Sequence, residues 1–232
     1  GAAASDNSPT LAQPTVPAHR ADGYIPFTIE VGMDYPGFAS EMMRLLGEGY
    51  SEILVEMFTT GTGTNQPTGI VTALTGTSSE IDTATTGTIA AADINGLWSS
   101  LPIRYRRSGG QWMSNTTVNN VIQQLGSGGA DASFTVNFTA EGVAVLKGRN
   151  TYLNDYMASL GGAQSGLLVV GDWSNYLIAQ RAGMSLEYIP QVFDTSGAVS
   201  VPVGQRAWFA WARVGANVVN ADGFRMLSDD GV

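Results

Sequence analysis

The chain has no cysteine, one histidine and a single lysine, Lys147. The missing thiols exclude disulfides, thiolate metal sites and a cysteine nucleophile. The histidine, His19, lies in Pro17-Ala18-His19-Arg20-Ala21-Asp22-Gly23, which reads as a surface loop. A catalytic base must be held by packing, so His19 is a poor triad member. Zinc would have to be held almost wholly by carboxylates, which suits it badly. Charged residues are also scarce, at 13% of the chain against a usual ~25%. The 20 acids outnumber the 11 bases, for a net charge of -9. That balance does not suit a protein whose main task is gripping phosphate backbones. No apolar run approaches the ~18–20 residues of a membrane span. The longest, at residues 166–170 and 207–212, have strand length. The first residues have neither the basic start nor the apolar core of a signal peptide. The sequence does not open with Met, so a processed product or part of a longer one is expected.

What is present is glycine, at 29 of 232 residues, with frequent Ser and Thr. The length suits one large domain or two intimate lobes. Folding at this size buries roughly 70–75% of the unfolded chain's surface, enough for a core without staples. A solitary soluble chain with so few charges is poorly protected from association. Large buried interfaces between subunits would explain the deficit.

Residues 1–24, rich in Ala, Ser, Thr and Pro, are expected to be extended and poor at packing alone. Residues 25–31 read as a strand. A helix is expected over 35–58, with Asp34 as N-cap and Pro36 in the first turn. Its apolar stripe is Phe38, Met42, Leu45, Leu46, Ile53 and Met57. Glu41, Glu48, Glu52 and Glu56 fall on another face, with Arg44 spaced to meet Glu41 and Glu48. Gly47 and Gly49 weaken the helix and suggest a bend or the close approach of another backbone. Residues 70–87 read as loop or exposed edge strand. Further helices are expected over 88–101 and from Asn115-Thr116-Thr117 to about Leu125, with a buried Trp112-Met113 strand between them. Gly126-Ser127-Gly128-Gly129 reads as a flexible turn, and 130–165 as mixed loops and short strands. Beyond lie a strand at 167–170, a short helix at 173–180 and a strand at 184–192. Another strand follows at 205–214, with Ala207, Phe209 and Trp211 on one face, and a last strand or helix at 218–227. The class is α+β.

Little here resembles chemistry. Gly61-Thr62-Gly63 follows a helix instead of opening one, and has no lysine nearby, so a nucleotide loop is rejected. Residues 170–174 run strand-turn-helix but lack the spacing of a nucleophile elbow. A carboxylate pair could serve a secreted carbohydrate-active enzyme, the remote alternative, but 20 acids make some pair inevitable. Arg104, Arg106 and Arg107, with Tyr105 and Trp112, form a basic-aromatic cluster. Three arginines cannot offset the net acidity, so a structural or subunit-interface role outweighs a nucleic-acid one. Two sequons, at Asn115 and Asn137, matter only if the chain is secreted. No catalytic, cofactor-binding or metal residues are assigned, and no cofactor is expected. The candidate subunit-contact residues are Glu41, Arg44, Glu48, Glu52, Arg104, Arg106 and Arg107.

Several blocks occur in an order that resembles the tailed-phage major capsid proteins with the Hong Kong 97-type fold. The first is a strand, an acidic-faced helix and Gly61-Thr62-Gly63-Thr64-Asn65-Gln66-Pro67-Thr68-Gly69-Ile70. Ile103-Arg104-Tyr105-Arg106-Arg107 with Gln111-Trp112-Met113-Ser114-Asn115 follows. Then come residues 145–150, with Asn150 where the family usually has Pro, then 170–178, 206–213 and 218–227. The resemblance implies a peripheral domain (spine helix plus long sheet), an axial domain and part of an extended loop. Residues 1–24 would be the returning arm of that loop, and 25–60 the peripheral strand and spine helix. Residues 61–190 would be mostly axial domain, and 191–232 the return to the peripheral sheet and C-terminal closure. The family's N-terminal arm and outgoing loop strand have no counterpart here, so the chain resembles the later portion of a subunit. Some members cross-link a loop lysine to a neighbour's asparagine. With Lys147 alone, non-covalent contacts are expected. The implied function is self-assembly into pentamers and hexamers around a DNA genome, built in the bacterial host cytoplasm. Scaffold, portal and decoration proteins are possible partners, with no specific nucleic-acid binding and no membrane. An encapsulin-type nanocompartment shell is the closer alternative.

Overall fold

The computed structural model describes residues 14–125, 137–138, 144–161, 164–194 and 201–229. The expected turn at 126–129, the first 13 residues of the expected arm and parts of the 130–165 stretch lie outside the described residues.

Strand β1 (His19–Thr28) alternates between half-buried and exposed along its whole length, the mark of a strand with one covered face. It starts six residues before the expected 25–31 strand. Residues 19–24 are extended, as expected, and pair with β11 (Gln205–Val218) in a sheet. It also ends sooner, because the Thr28 hydroxyl accepts from the Val31 N–H at 3.4 Å and caps α1 (Ile29–Asp34).

Helix α2 (Phe38–Thr60) runs unbroken for 23 residues, about 35 Å at ~1.5 Å each. Its N-cap is Gly37, not the expected Asp34, which closes α1. Gly37 sits at φ +88°, a left-handed turn that other residues rarely adopt. The expected bend at Gly47 and Gly49 is absent as an element break. A Cβ added to either would meet nothing within 4 Å, so among the described residues no other backbone closely approaches there. Within α2 only Thr59 is buried.

The segment after α2 departs most from expectation. Residues 70–87 begin with a buried turn of helix, α3 (Ile70–Leu74), whose Ile70, Val71 and Leu74 face the core. Apolar spacing of one and four residues outweighs the local Thr content. A short strand, β2 (Glu80–Asp82), follows. Helices α4 (Ala91–Ser100) and α5 (Ile103–Ser108), strand β3 (Gln111–Ser114) and helix α6 (Thr116–Leu125) come next. The Asn115 side chain caps α6, accepting from the Thr117 N–H at 2.9 Å, as the sequence suggests. Strands β4 (Asn137–Phe138), β5 (Ala144–Leu146), β6 (Arg149–Leu153) and β7 (Leu168–Gly171) complete the middle of the chain.

The helix expected at 173–180 is a single 3-10 turn, Trp173–Asn175. Asp172 caps it, its Oδ1 accepting from the N–H of Ser174 at 3.1 Å and its hydroxyl at 2.8 Å. The chain then extends into β8 (Tyr176–Ile189). Pairing partners on the long strand β11 (Gln205–Val218) outweigh any helix propensity here. Between them lie β9 (Phe193–Asp194) and β10 (Val201–Pro202). On β11 the buried residues with side chains are Ala207, then Ala210, Ala212, Val214 and Ala216, and Gly215 is buried as well. The covered face thus changes after Ala207, and Phe209 and Trp211 remain half-buried instead of forming the expected core row. A 3-10 turn, Ala221–Gly223, leads to β12 (Phe224–Ser228).

Two main sheets result. The antiparallel sheet β1-β11-β8 carries α2 against one face. The mixed sheet has the order β2-β12-β7-β3-β6-β5-β4, with β2/β12 and β3/β6 parallel. The core belongs to the mixed sheet. Ile94 and Leu97 of α4, and Val118 and Ile122 of α6, meet Trp112, Leu168 and Val170. Trp98 stacks on Trp112 with centroids 5.5 Å apart. A second cluster joins Ile70 and Leu74 to Val169, Phe224 and Met226. Burying each such side chain contributes ~1.5–3 kcal/mol. The antiparallel sheet is much more open, and its edge strand β8 has no fully buried residue.

Candidate subunit-contact surfaces

Arg44 stands one turn from Glu41 and from Glu48 on the outer side of α2. Its guanidinium donates to both Glu41 oxygens, at 2.5 and 3.1 Å, and also to Glu48. The Arg44 hydrogen bond holds the Glu41 carboxyl below the usual carboxylate range, and the two glutamates raise the Arg44 pKa in turn. All three side chains are well exposed, so the trio orders the surface more than it stabilises the fold. Glu52 lies farther along and accepts from the Tyr156 hydroxyl at 3.0 Å. The candidate acids therefore divide between a clamp at Arg44 and a bond to the loop after β6.

The three candidate arginines of α5 behave differently. Arg104 lies over the Tyr105 ring, 4.5 Å from its centroid. Arg106 folds back on its own segment, where its Nε donates to the Leu101 carbonyl at 2.7 Å. Its guanidinium also lies 5.9 Å from the Trp98 ring centroid. Arg107 is exposed. The structure adds two bases that sequence spacing did not bring forward. Arg149 donates to the Arg106 carbonyl at 2.7 Å, and Lys147 Nζ contacts the Asn95 carboxamide oxygen. Both follow α5 by some 40 residues, and only the strand pairing of β3 with β6 brings them beside it.

Apolar surface lies open around α2. Leu45 is 42% exposed, Ile53 45% and Met184 of β8 40%. With Leu46, Tyr50 and Ala210 they line a groove of about 130 Å³ between α2 and the antiparallel sheet. Within that sheet β1 and β8 are edges. Register shifts on β8 opposite Trp211 to Val214 blunt that edge in the way bulges do.

The features considered for chemistry take the following places in the fold. His19 opens β1, half-buried and not in a loop, and its Nε2 has no hydrogen-bond partner among the described residues. No group of three or more His, Asp or Glu is placed to hold a metal ion among the described residues. No helix among them is long and apolar enough to cross a membrane. The Gly-Thr-Gly loop closes on itself: Gly69 N–H donates to the Gly61 carbonyl at 2.8 Å, and Gly63 N–H to that of Pro67 at 3.3 Å. A Cβ on Gly61 would collide with the carbonyl oxygens of Met57 and Pro67. The loop is also bound from outside. The Tyr176 hydroxyl donates to the carbonyls of Phe58 (3.1 Å) and Thr68 (2.9 Å), and Thr68 N–H donates to that of Ala216 (3.0 Å). These glycines let the end of α2, α3 and both sheets meet at one junction.

A long exposed helix on an open-edged sheet, joined to a well-packed mixed-sheet domain, is the architecture of the Hong Kong 97-type shell proteins. Solved structures agree. The capsid of an empty GTA particle matches with TM-score 0.72 at 16% identity, over 98% of this chain and 80% of that one. A chain of Mycobacterium phage Cain matches with TM-score 0.62 at 14% identity, over 92% of this chain and 72% of that one. The holo-SrpI encapsulin complex of Synechococcus elongatus PCC 7942 matches with TM-score 0.65 at 10% identity, over 91% and 74%. No curated protein sequence matches the chain. The model of the phage capsid family matches residues 1–229, and the chain belongs to that family. It is a structural protein of a virion shell.

Proposed function

We propose that this chain is a major capsid protein whose copies form pentamers and hexamers and close around a DNA genome. The observation that supports this most is the state of its longest elements. Helix α2 and strand β8 leave Leu45, Ile53, Val55, Leu177, Ile178 and Met184 largely exposed. Leu45, Ile53 and Met184 share one groove, and exposed apolar surface of this kind supports a contact role. Residues 1–24 are assigned to the returning arm of the extended loop, 25–60 to the peripheral strand and spine helix, 61–190 mostly to the axial domain, and 191–232 to the return to the peripheral sheet and C-terminal closure. Glu41, Arg44, Glu48, Glu52, Arg104, Arg106 and Arg107 are assigned to subunit contacts. Assembly takes place in the host cytoplasm, with scaffold, portal and decoration proteins as further partners.

The net charge of -9 favours an inner wall along which packaged DNA slides. The encapsulin neighbour shares the fold, and family membership favours the virion reading. Sedimentation velocity of the natural full-length protein tests the proposal. Boundaries at capsomer and shell mass support it. A monomer at every accessible concentration overturns it. Native particles that dissolve to single chains on a denaturing gel would support non-covalent contacts, and a ladder would contradict them.

A further inference from the structure

Parallel strands β3 and β6 lie side by side, with Trp112 opposite Thr151 and Ser114 opposite Leu153. Both begin at the same end of the mixed sheet, and that end is basic. Arg104, Arg106 and Arg107 precede β3, Lys147 lies in the turn before β6 and Arg149 opens β6. The Arg149–Arg106 bond ties the two groups together. Between Asp93 and Asp155 the sequence holds two acids, Asp131 and Glu141, both outside the described residues. Among the described residues Arg104, Arg106, Arg107 and Arg149 form no ion pair. This is a concentrated positive patch in a chain of net charge -9.

The other end of the pair is acidic. Residue 155 lies six positions past Arg149, about 20 Å away at ~3.3 Å per extended residue. There the backbone carbonyl of Asp155 accepts from Asn115 Nδ2 at 3.2 Å, just beyond β3. Tyr156 bonds Glu52. The Tyr156 hydroxyl pKa is raised by burial first, then by the Glu52 bond and by the charges of Glu52, Glu56 and Asp155. Glu56 lies one helical turn past Glu52 on α2, and Asp155 precedes Tyr156 in the chain.

We infer that the basic end of the β3/β6 pair (Arg104, Arg107, Lys147, Arg149) docks on the acidic end (Glu52, Glu56, Asp155) of a second copy, head to tail around a ring. The inference rests on the shell-protein reading and names the contact. Opposite charge at opposite ends makes the contact heterologous, and heterologous contacts that close generate cyclic rings. Two-fold pairing of like ends would oppose the same charge and is disfavoured. Single-stranded nucleic acid suits the basic end less well. Its aromatic side chains give no stacking platform. Trp112 is fully buried, and Tyr105 lies beneath Arg104 and binds Asn220 through its hydroxyl at 2.6 Å.

The test uses two charge-reversed forms of the full-length protein. One carries Arg104→Glu with Arg107→Glu, the other Glu52→Arg with Glu56→Arg. Circular dichroism confirms the fold of each before sedimentation velocity. Each alone is expected to need at least ~10-fold more protein for half-assembly than the wild type. An equimolar mixture is expected to associate again, because each now presents the complement of the other. Variants that assemble like the wild type overturn the inference and leave the shell reading intact. The same holds if the arginine variant assembles normally but loses retention of duplex DNA. A wild-type protein that never assembles overturns both. If one variant misfolds, the single substitutions Arg107→Glu and Glu56→Arg carry the same comparison.

Discussion

Asn154 Nδ2 donates to Thr59 Oγ1 at 2.7 Å, joining the turn after β6 to the last turn of α2. Thr59 is the one buried residue of that helix. The open helix is thus tied to the packed domain at its C-terminal end, through Thr59, Phe58 and the loop that follows. Asn154→Ala is expected to cost ~1–2 kcal/mol, because it leaves a part-buried hydroxyl without this donor. Chemical denaturation of the unassembled chain measures it.

Tyr176 gives that junction a dependence on pH. Burial pushes its hydroxyl pKa above the ordinary value of 10.0. The folded chain therefore keeps the proton where the unfolded chain releases it. The stabilisation is complete below pH ~10 and is lost as pH rises through the alkaline range. Tyr176→Phe is expected to be less stable by about 1 kcal/mol at pH 8. Its deficit shrinks above pH ~10, because phenylalanine has no proton to lose. Melting curves of both forms between pH 8 and 11 check this, and parallel curves would contradict it.

Asp229 is fully buried, and both of its oxygens accept from the Gly87 N–H at 2.8 Å. Its Oδ1 also accepts from the Thr83 hydroxyl at 3.0 Å. The carboxylate holds the 83–88 turn against the end of β12. Asp229→Ala is expected to lower stability by ~2–3 kcal/mol, and Thr83→Ala by less. Urea midpoints of the two variants give the order.

Gly69 and Gly47 should respond in opposite directions to alanine. At Gly69 a Cβ would lie 2.5 Å from the Thr59 carbonyl oxygen, so Gly69→Ala should destabilise by ~2 kcal/mol or more. At Gly47 the added methyl meets nothing within 4 Å. Gly47→Ala should therefore stabilise the free subunit by ~1 kcal/mol through helix propensity. Thermal melts of the unassembled chain separate the two.

Legibility in the sequence followed local pattern. Trp112-Met113 as a buried strand and the Asn115 cap of α6 could be read because each signal spans a few residues. Arg44 between Glu41 and Glu48 could be read because one helix fixes their spacing. Tyr176 to Gln180 misled, since their extended state depends on pairing with Val214 to Val218 of β11, far along the chain. The sheet pairing of residues 19–24 was not legible for the same reason, because their partner strand lies near the far end of the chain. Lys147 and Arg149 join the α5 arginines only through the sheet. A short window of sequence carries no record of such pairing.

Helix α2 buries one of its 23 residues, and β8 buries none. A newly made copy is consequently a poor long-term solute. The surfaces that suit it to a lattice also let it clump with anything apolar nearby. Its working life as a free molecule has to be brief, and supply must be matched to the growth of the particle. Solubility in this chain is a matter of timing as much as of composition.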